Sequence, residues 1–75
     1  MNTIAEFLKG IRLDSNLSIS ELSKLSGISV SAISRIERGQ REPLFSTVIE
    51  IVNSLNAGEL FYNFLKKVFD NCQKV

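Results

Sequence analysis

Three arginines lie within seven residues near the middle of the chain, namely Arg35, Arg38 and Arg41. A guanidinium group donates parallel N–H bonds that fit the oxygens of a phosphate or the O6 and N7 atoms of a guanine. Small side chains precede the first arginine, at Val30, Ser31 and Ser34, and let the backbone approach another molecule closely. These residues predict contact with a nucleic acid, provided that one element brings them to the same side.

The rest of the sequence offers little other chemistry. It contains no histidine and a single cysteine, Cys72, so it cannot form a Ser–His or Cys–His pair or an internal disulfide, and a zinc site is not expected. Its four glycines are scattered and build no phosphate-binding loop. We therefore expect no enzyme, metal or cofactor. The absence of a membrane-spanning run and of a signal-peptide pattern predicts a soluble, cytoplasmic protein.

A chain of 75 residues is expected to form one domain, residues 1–75, near the lower size limit for a self-sufficient core. Without a disulfide or metal, association with a second copy is the expected source of extra stability. The net charge is only +1, which is weak for a nucleic-acid-binding protein. The placement of the charges, not their sum, must therefore account for any binding.

The spacing of apolar residues predicts five helices and no strand. The first helix is expected from about Ile4 to Asp14, the fourth from about Phe45 to Leu55, and the fifth from near Gly58 to about Asn71. Thr3 and Glu6 have the spacing of a capping box, in which each side chain bonds the backbone N–H of the other residue. The predicted fold class is therefore all-α.

Two short helices are predicted in the middle of the chain. One begins after Ser18, which forms a second capping box with Glu21, and ends at Gly27. The next begins after Ser29 and ends at Gly39. Their expected buried residues are Ile19, Leu22, Leu25, Ile28, Ile33 and Ile36. Two helices joined by so tight a glycine-containing turn predict a helix-turn-helix over about residues 18–38.

On a helical wheel the third helix has two distinct faces. One face carries the apolar Ala32, Ile33 and Ile36; the other carries Val30, Ser31, Ser34, Arg35 and Arg38. Considered alone, the second face fits an ordinary solvated surface. The tight turn, the paired caps and the arginines at the end of the helix favour DNA binding instead. Arg35 would then reach a guanine, and Arg38 and Arg41 would lie near phosphates. The free backbone N–H groups of the helix that begins after Ser18 could bind another phosphate.

The run from Leu17 to Gly39 resembles the phage repressor and Cro type of helix-turn-helix. That family has an acidic residue followed by Leu early in the second helix, Gly at the turn, and Ile-Ser-Arg-Ile-Glu-Arg-Gly at the end of the third, as in Ile33 to Gly39 here. A proline before the fourth helix matches Pro43. The resemblance extends from about Phe7 to Leu65 and implies a five-helix, lambda-repressor-like domain that binds a double-stranded DNA operator as a homodimer.

The resemblance also assigns roles to individual residues. Val30, Ser31 and Arg35 match base-reading positions, with Ser34 as a further one. Arg38, Gln40 and Arg41 match phosphate-contacting positions. Arg12 and Glu37 match a pair that forms an internal salt bridge. Ile19 departs from the family, in which a polar residue is usual at this position. Only a phosphate contact through the backbone is therefore expected there. Val30 would contact a thymine methyl group or respond to the shape of the groove.

The fifth helix carries a broad apolar band: Leu60, Phe61, Phe64, Leu65, Val68 and Phe69. The band could pack entirely on the core of its own domain. Alternatively, Phe64, Val68 and Phe69, with Ile49 nearby, would form the seam of a two-fold dimer, making about residues 58–72 the dimerisation helix. Such a dimer would place two third helices about 34 Å apart on DNA.

These observations lead to two functional hypotheses. The first is a transcriptional regulator, similar to the controller proteins of restriction–modification systems and equally to phage repressors or Cro-like proteins. It would respond to its own concentration, to cooperative binding, or to a protein such as RNA polymerase or an antirepressor. The second is an antitoxin or other protein-interaction module with the same fold, whose essential surface is the fifth helix. An enzyme is the weakest alternative.

Overall fold

Helices make up most of the chain, and the structure shows no strand in the part it describes. This computed structural model describes the backbone of residues 3–73 and the side chains of residues 3–70. The helices are α1 (Ile4–Asp14), α2 (Ile19–Ser26), α3 (Val30–Glu37), α4 (Phe45–Ser54) and α5 (Gly58–Gln73). The all-α prediction is confirmed, and the predicted helix boundaries agree to within about two residues. Within the described residues, no helix is long and apolar enough to cross a membrane.

Side-chain caps fix the starts of the first two helices. The N–H of Glu6 donates to the Thr3 hydroxyl at 3.2 Å, and the N–H of Thr3 donates to the Glu6 carboxylate at 3.0 Å. The Ser18–Glu21 pair repeats the arrangement at 3.0 and 2.8 Å. Both predicted capping boxes are present. The backbone donor in each box stabilises the ionised carboxylate and so lowers the pKa of Glu6 and of Glu21.

Left-handed glycines end α2 and α3, as predicted. Gly27 has a φ of +77° and Gly39 one of +73°, a conformation that costs glycine least. After α3 the N–H of Gln40 donates to the carbonyl of Arg35 at 2.9 Å, and that of Gly39 donates to Ile36 at 3.1 Å. This pair of bonds is a Schellman motif, and it turns the chain sharply away from the axis of α3.

The core gathers one apolar face from each helix. Its buried members are Leu8, Ile11, Leu22, Ile33, Ile36, Val48, Ile51, Val52, Ala57 and Phe61. Ile33 and Ile36 seat α3 on the core, so the opposite face of that helix must point outward. The predicted split of α3 into a buried and an outward face is therefore present.

Leu25 does not belong to the core, which corrects the sequence-based prediction. Its side chain is 59% exposed, whereas Leu22 in the same helix is 1% exposed. The buried side of α2 runs from Leu22 toward Ser23 and Ser26, which are half-buried. Leu25 lies on the other side of Leu22, about 60° away around the helix, where the eight-residue α2 makes no core contact. Three-residue spacing alone did not reveal which side of Leu22 faces inward.

α5 packs on the core through its first half only. The ring of Phe64 stacks on that of Phe7, with the ring centroids 4.5 Å apart, and the buried Phe61 lies 5.8 Å from the same ring. Val68 falls within about 20° of Phe61 around the helix, yet it is 40% exposed. All side chains from residue 65 to residue 70 are exposed. The second half of α5 therefore extends past the body of the domain.

The contrast between two leucines of α2 provides a test of this core. We expect Leu22→Ala to lower the free energy of unfolding by about 2–5 kcal/mol, because it removes buried methyl groups and leaves a cavity. The matched change Leu25→Ala should stay within about 0.5 kcal/mol, because that side chain is exposed. Urea titrations of both variants measure the difference. Equal losses for the two would contradict the orientation of α2.

Candidate nucleic-acid interface

A buried arginine connects three parts of the helix-turn-helix. The Nε and Nη2 atoms of Arg12 donate to the two carboxylate oxygens of Glu37, at 2.7 and 2.9 Å. Its Nη1 atom donates to the carbonyl oxygen of Leu17 at 2.7 Å. The side chain thereby joins the end of α1 to the loop before α2 and to the end of α3. The salt bridge that the family resemblance implies is thus present, with a bidentate geometry.

This ion pair is internal and adds nothing to the charge of the surface. The side chains of Arg12 and Glu37 are only 8% and 6% exposed. Hydrogen bonding to Glu37 raises the pKa of Arg12 above its usual value, so the guanidinium stays charged. The Leu17 carbonyl was not predicted as a partner. Nothing in the sequence indicates it, because the direction of a carbonyl depends on the conformation of the loop.

Hydroxyl groups fix the turn between α2 and α3. The Ser26 hydroxyl donates to the carbonyl of Leu22 at 2.8 Å and accepts from the N–H of Ile28 at 3.2 Å. The Ser29 hydroxyl then accepts from the N–H of Ala32 at 3.1 Å and caps α3. Because these bonds are local, the first turn of α3 starts at a defined angle to α2. Rigid placement of this kind favours specific recognition by the helix.

The outward face of α3 contains the residues predicted to read bases. Val30 is 47% exposed, Ser31 and Arg35 are exposed, and Ser34 is half-buried. They share one side of α3, opposite the core-facing isoleucines. Three of the four are small, so the helix backbone near Ser31 can come close to the floor of a groove. Arg35 lies one turn further on, where a long donor side chain can extend beside it.

Three of the four residues predicted to contact phosphates lie just after α3. Arg38, Gln40 and Arg41 are all exposed. The Nε atom of Arg38 donates to the carbonyl of Ser34 at 3.3 Å, which keeps its guanidinium beside the end of α3. The Schellman turn at Gly39 then directs Gln40 and Arg41 away from the helix axis. The three side chains form a polar, positively charged rim next to the outward face of α3.

Ser18 offers less to a phosphate than its position suggests. The Ser18 hydroxyl accepts a hydrogen bond from the backbone N–H of Glu21, and the backbone N–H of Ser18 donates to the Glu21 carboxylate. The capping box leaves the N–H groups of Ile19 and Ser20 as the donors of the first turn. A phosphate bound there would lie beside the carboxylate of Glu21, and the two negative charges repel. The expected contact at the start of α2 therefore depends on backbone donors alone.

The residues expected at a dimer seam divide into two groups. Ile49 and Phe64 are partly buried and pack against the core of their own domain. Val68 and Phe69 are 40% and 61% exposed, on the part of α5 that extends beyond the body. Tyr62 and Leu65, which were not predicted for the seam, are 61% and 46% exposed. The side chain of Cys72 lies outside the described residues.

The Arg12–Glu37 pair can be tested by removing one partner. We expect Glu37→Ala to cost about 3–5 kcal/mol of stability, because the buried guanidinium loses its carboxylate. Glu42→Ala, which removes an exposed carboxylate nearby, should change stability by about 0.5 kcal/mol or less. The double variant Arg12→Met with Glu37→Met should recover part of the loss, since no unpaired charge remains. Chemical denaturation measures all three; similar results for Glu37→Ala and Glu42→Ala would contradict the assignment.

Comparison with known proteins agrees with this geometry. A family model described as helix-turn-helix matches residues 8–61, which is more than half of the chain. No curated protein and no solved structure matches the chain significantly. The matched segment contains the whole of α1 after its first turn, the capped turn, the outward face of α3 and the start of α5. The chain belongs to the helix-turn-helix family of the phage repressor and Cro type, a family of DNA-binding regulators of transcription.

Proposed function

We propose that the protein binds a palindromic or nearly palindromic operator as a homodimer, with α3 of each copy in the major groove. The observation that carries this proposal is the outward face of α3, which places small residues and Arg35 on one side while Ile33 and Ile36 anchor the other. An eight-residue helix is about 12 Å long. That length matches the width of the major groove, which is about 12 Å.

Each residue of the outward face has a distinct part in the proposed reading. Arg35 donates two parallel bonds to the O6 and N7 atoms of a guanine. Ser31 and Ser34 form hydrogen bonds with base edges, because a hydroxyl group can act both as a donor and as an acceptor. Val30 has no polar atom in its side chain, so it contacts a thymine methyl group or responds to the shape of the groove.

The rim formed by Arg38, Gln40 and Arg41 supports binding without reading sequence. Phosphate contacts fix the register of a protein on the duplex and make its affinity depend on salt. The Arg12–Glu37 pair contributes no such contact, because both charges are buried. With few phosphate contacts per copy, specificity depends on the outward face of α3 more than on general attraction to DNA.

The exposed end of α5 supports the dimer. Leu65, Val68 and Phe69 form an apolar stripe on a helix segment that its own domain does not cover. An isolated helix segment this short is marginally stable in water. Packing against the same stripe of a second copy would bury the stripe and would place the two α3 helices symmetrically. An antitoxin would use the stripe for a different protein partner, and the same experiments distinguish the two functions.

Selection of duplexes from a random pool tests DNA recognition. For the recovered duplex, we expect Arg35→Ala to cost about 1–3 kcal/mol and to relax the preference at one base pair per half-site. Arg38→Ala and Arg41→Ala should weaken binding to all sequences alike and lower the salt slope by about one each. Fluorescence anisotropy at several salt concentrations measures both effects. An unchanged preference in Arg35→Ala would contradict the proposed reading, and a pool with no enriched sequence would contradict operator binding.

Sedimentation equilibrium tests the dimer. We expect wild type to be a dimer at micromolar concentration, and Phe69→Glu to weaken association at least about a hundredfold, because the seam would have to bury an unpaired charge. Lys67→Glu, which changes an exposed residue on another side of α5, is the matched control and should leave association unchanged. A wild type that remains monomeric on its selected duplex would contradict the dimer, and tight binding to a partner protein instead would favour the antitoxin.

A further inference from the structure

α4 begins without the side-chain cap that the three preceding helices have. Thr3, Ser18 and Ser29 each accept a backbone N–H at the start of α1, α2 and α3. The corresponding position before α4 is Leu44, whose backbone is extended, with φ −67° and ψ 151°, and whose side chain makes no cap bond. Leucine is among the least favourable residues at this position. Folding of the monomer alone does not account for it.

Leu44 and the next residue are also unusually exposed. Leu44 is 66% and Phe45 is 73% exposed, the highest values for large apolar side chains in the part of the chain that the structure describes. Neither belongs to the core or packs against it. The cap position lacks a polar residue, and two adjacent apolar side chains lie in solvent. Together these features indicate a surface that another molecule covers.

The apolar pair lies directly beyond the phosphate-contacting rim. Only Glu42 and Pro43 separate Leu44 from Arg41. If α3 lies in the major groove and Arg38 to Arg41 contact the backbone, the adjacent minor groove lies on the other side of that backbone. Leu44 and Phe45 follow Arg41 by three and four residues, a distance that lets their side chains reach the wall of this groove. The pair is therefore continuous with the proposed DNA interface.

We propose that Leu44 and Phe45 form an apolar wedge against the deoxyribose walls of the minor groove beside each half-site. The inference rests on the proposed operator binding and adds to it a contact that α3 does not make. Apolar side chains in the minor groove open or bend base steps, and flexible pyrimidine–purine steps yield at the lowest cost. The wedge thus makes affinity depend on base pairs outside those that α3 reads.

A second copy of the chain fits this surface less well. Two copies joined here would bring their arginine rims together, and like charges repel. The exposed stripe of α5 carries no such rim, so it is the better seam.

The experiment compares alanine variants on the selected duplex. We expect Phe45→Ala to bind about tenfold more weakly, which corresponds to the loss of a half-buried apolar side chain, with its salt slope unchanged, unlike Arg41→Ala. Leu13→Ala is the matched control: Leu13 is 53% exposed and lies in α1, which has no part in the proposed DNA contact or in the dimer seam. It should bind as wild type does.

Two further measurements separate a DNA contact from a structural effect. Leu44→Ser supplies the missing cap, so it should raise the melting temperature while it weakens binding to the duplex. Wild type should prefer a TA step over an A-tract beside the half-site, and Phe45→Ala should lose that preference.

The outcomes are distinct. If wild type binds its duplex and Phe45→Ala binds equally well, the wedge is wrong while operator binding stands. The wedge is also wrong if Phe45→Ala abolishes self-association, because a second copy then covers the pair. A wild type that binds no duplex overturns both the wedge and the proposed function.

Discussion

The bidentate bond between Arg12 and Glu37 is the interaction on which the rest of the interface depends. α3 has eight residues, of which only Ile33 and Ile36 are buried, so few apolar contacts hold its orientation. The guanidinium holds the C-terminal end of α3 to α1, and through the Leu17 carbonyl it holds the loop before α2 as well. The turn at Gly27 fixes the other end. With both ends fixed, the outward face of α3 has one direction relative to the body.

The placement of the charges, including this buried pair, explains how a nearly neutral chain can be a DNA-binding protein. A buried pair cancels its own charge, so neither member attracts or repels a phosphate at the surface. The arginines that remain exposed in the middle of the chain, Arg35, Arg38 and Arg41, all lie along or just after α3. A net charge of +1 therefore understates the local charge of the interface. Weak general attraction also limits the competition from non-specific sites.

Local signals predicted most of this fold, and long-range packing decided the rest. Capping boxes and left-handed glycines involve residues three to five apart, so the sequence could place the helix boundaries and the outward face of α3. Leu25 was assigned to the core wrongly because the inward side of α2 depends on how α2 meets its neighbours. The Leu17 carbonyl, the inward packing of Phe64 on Phe7 and the extension of α5 past the body all depend on tertiary contacts between distant segments.

Two places in this chain depart from local rules of helix stability and apolar burial. Leu44 occupies a cap position that calls for a polar residue, and the end of α5 presents an apolar stripe to solvent. Neither improves the stability of a single copy. A small domain has little stability to spare, so compensation by binding is a physical reason for features of this kind. The two departures lie in different parts of the chain, one three residues after Arg41 and one at the end of α5. That separation fits the proposal that one surface contacts DNA while the other contacts a second copy.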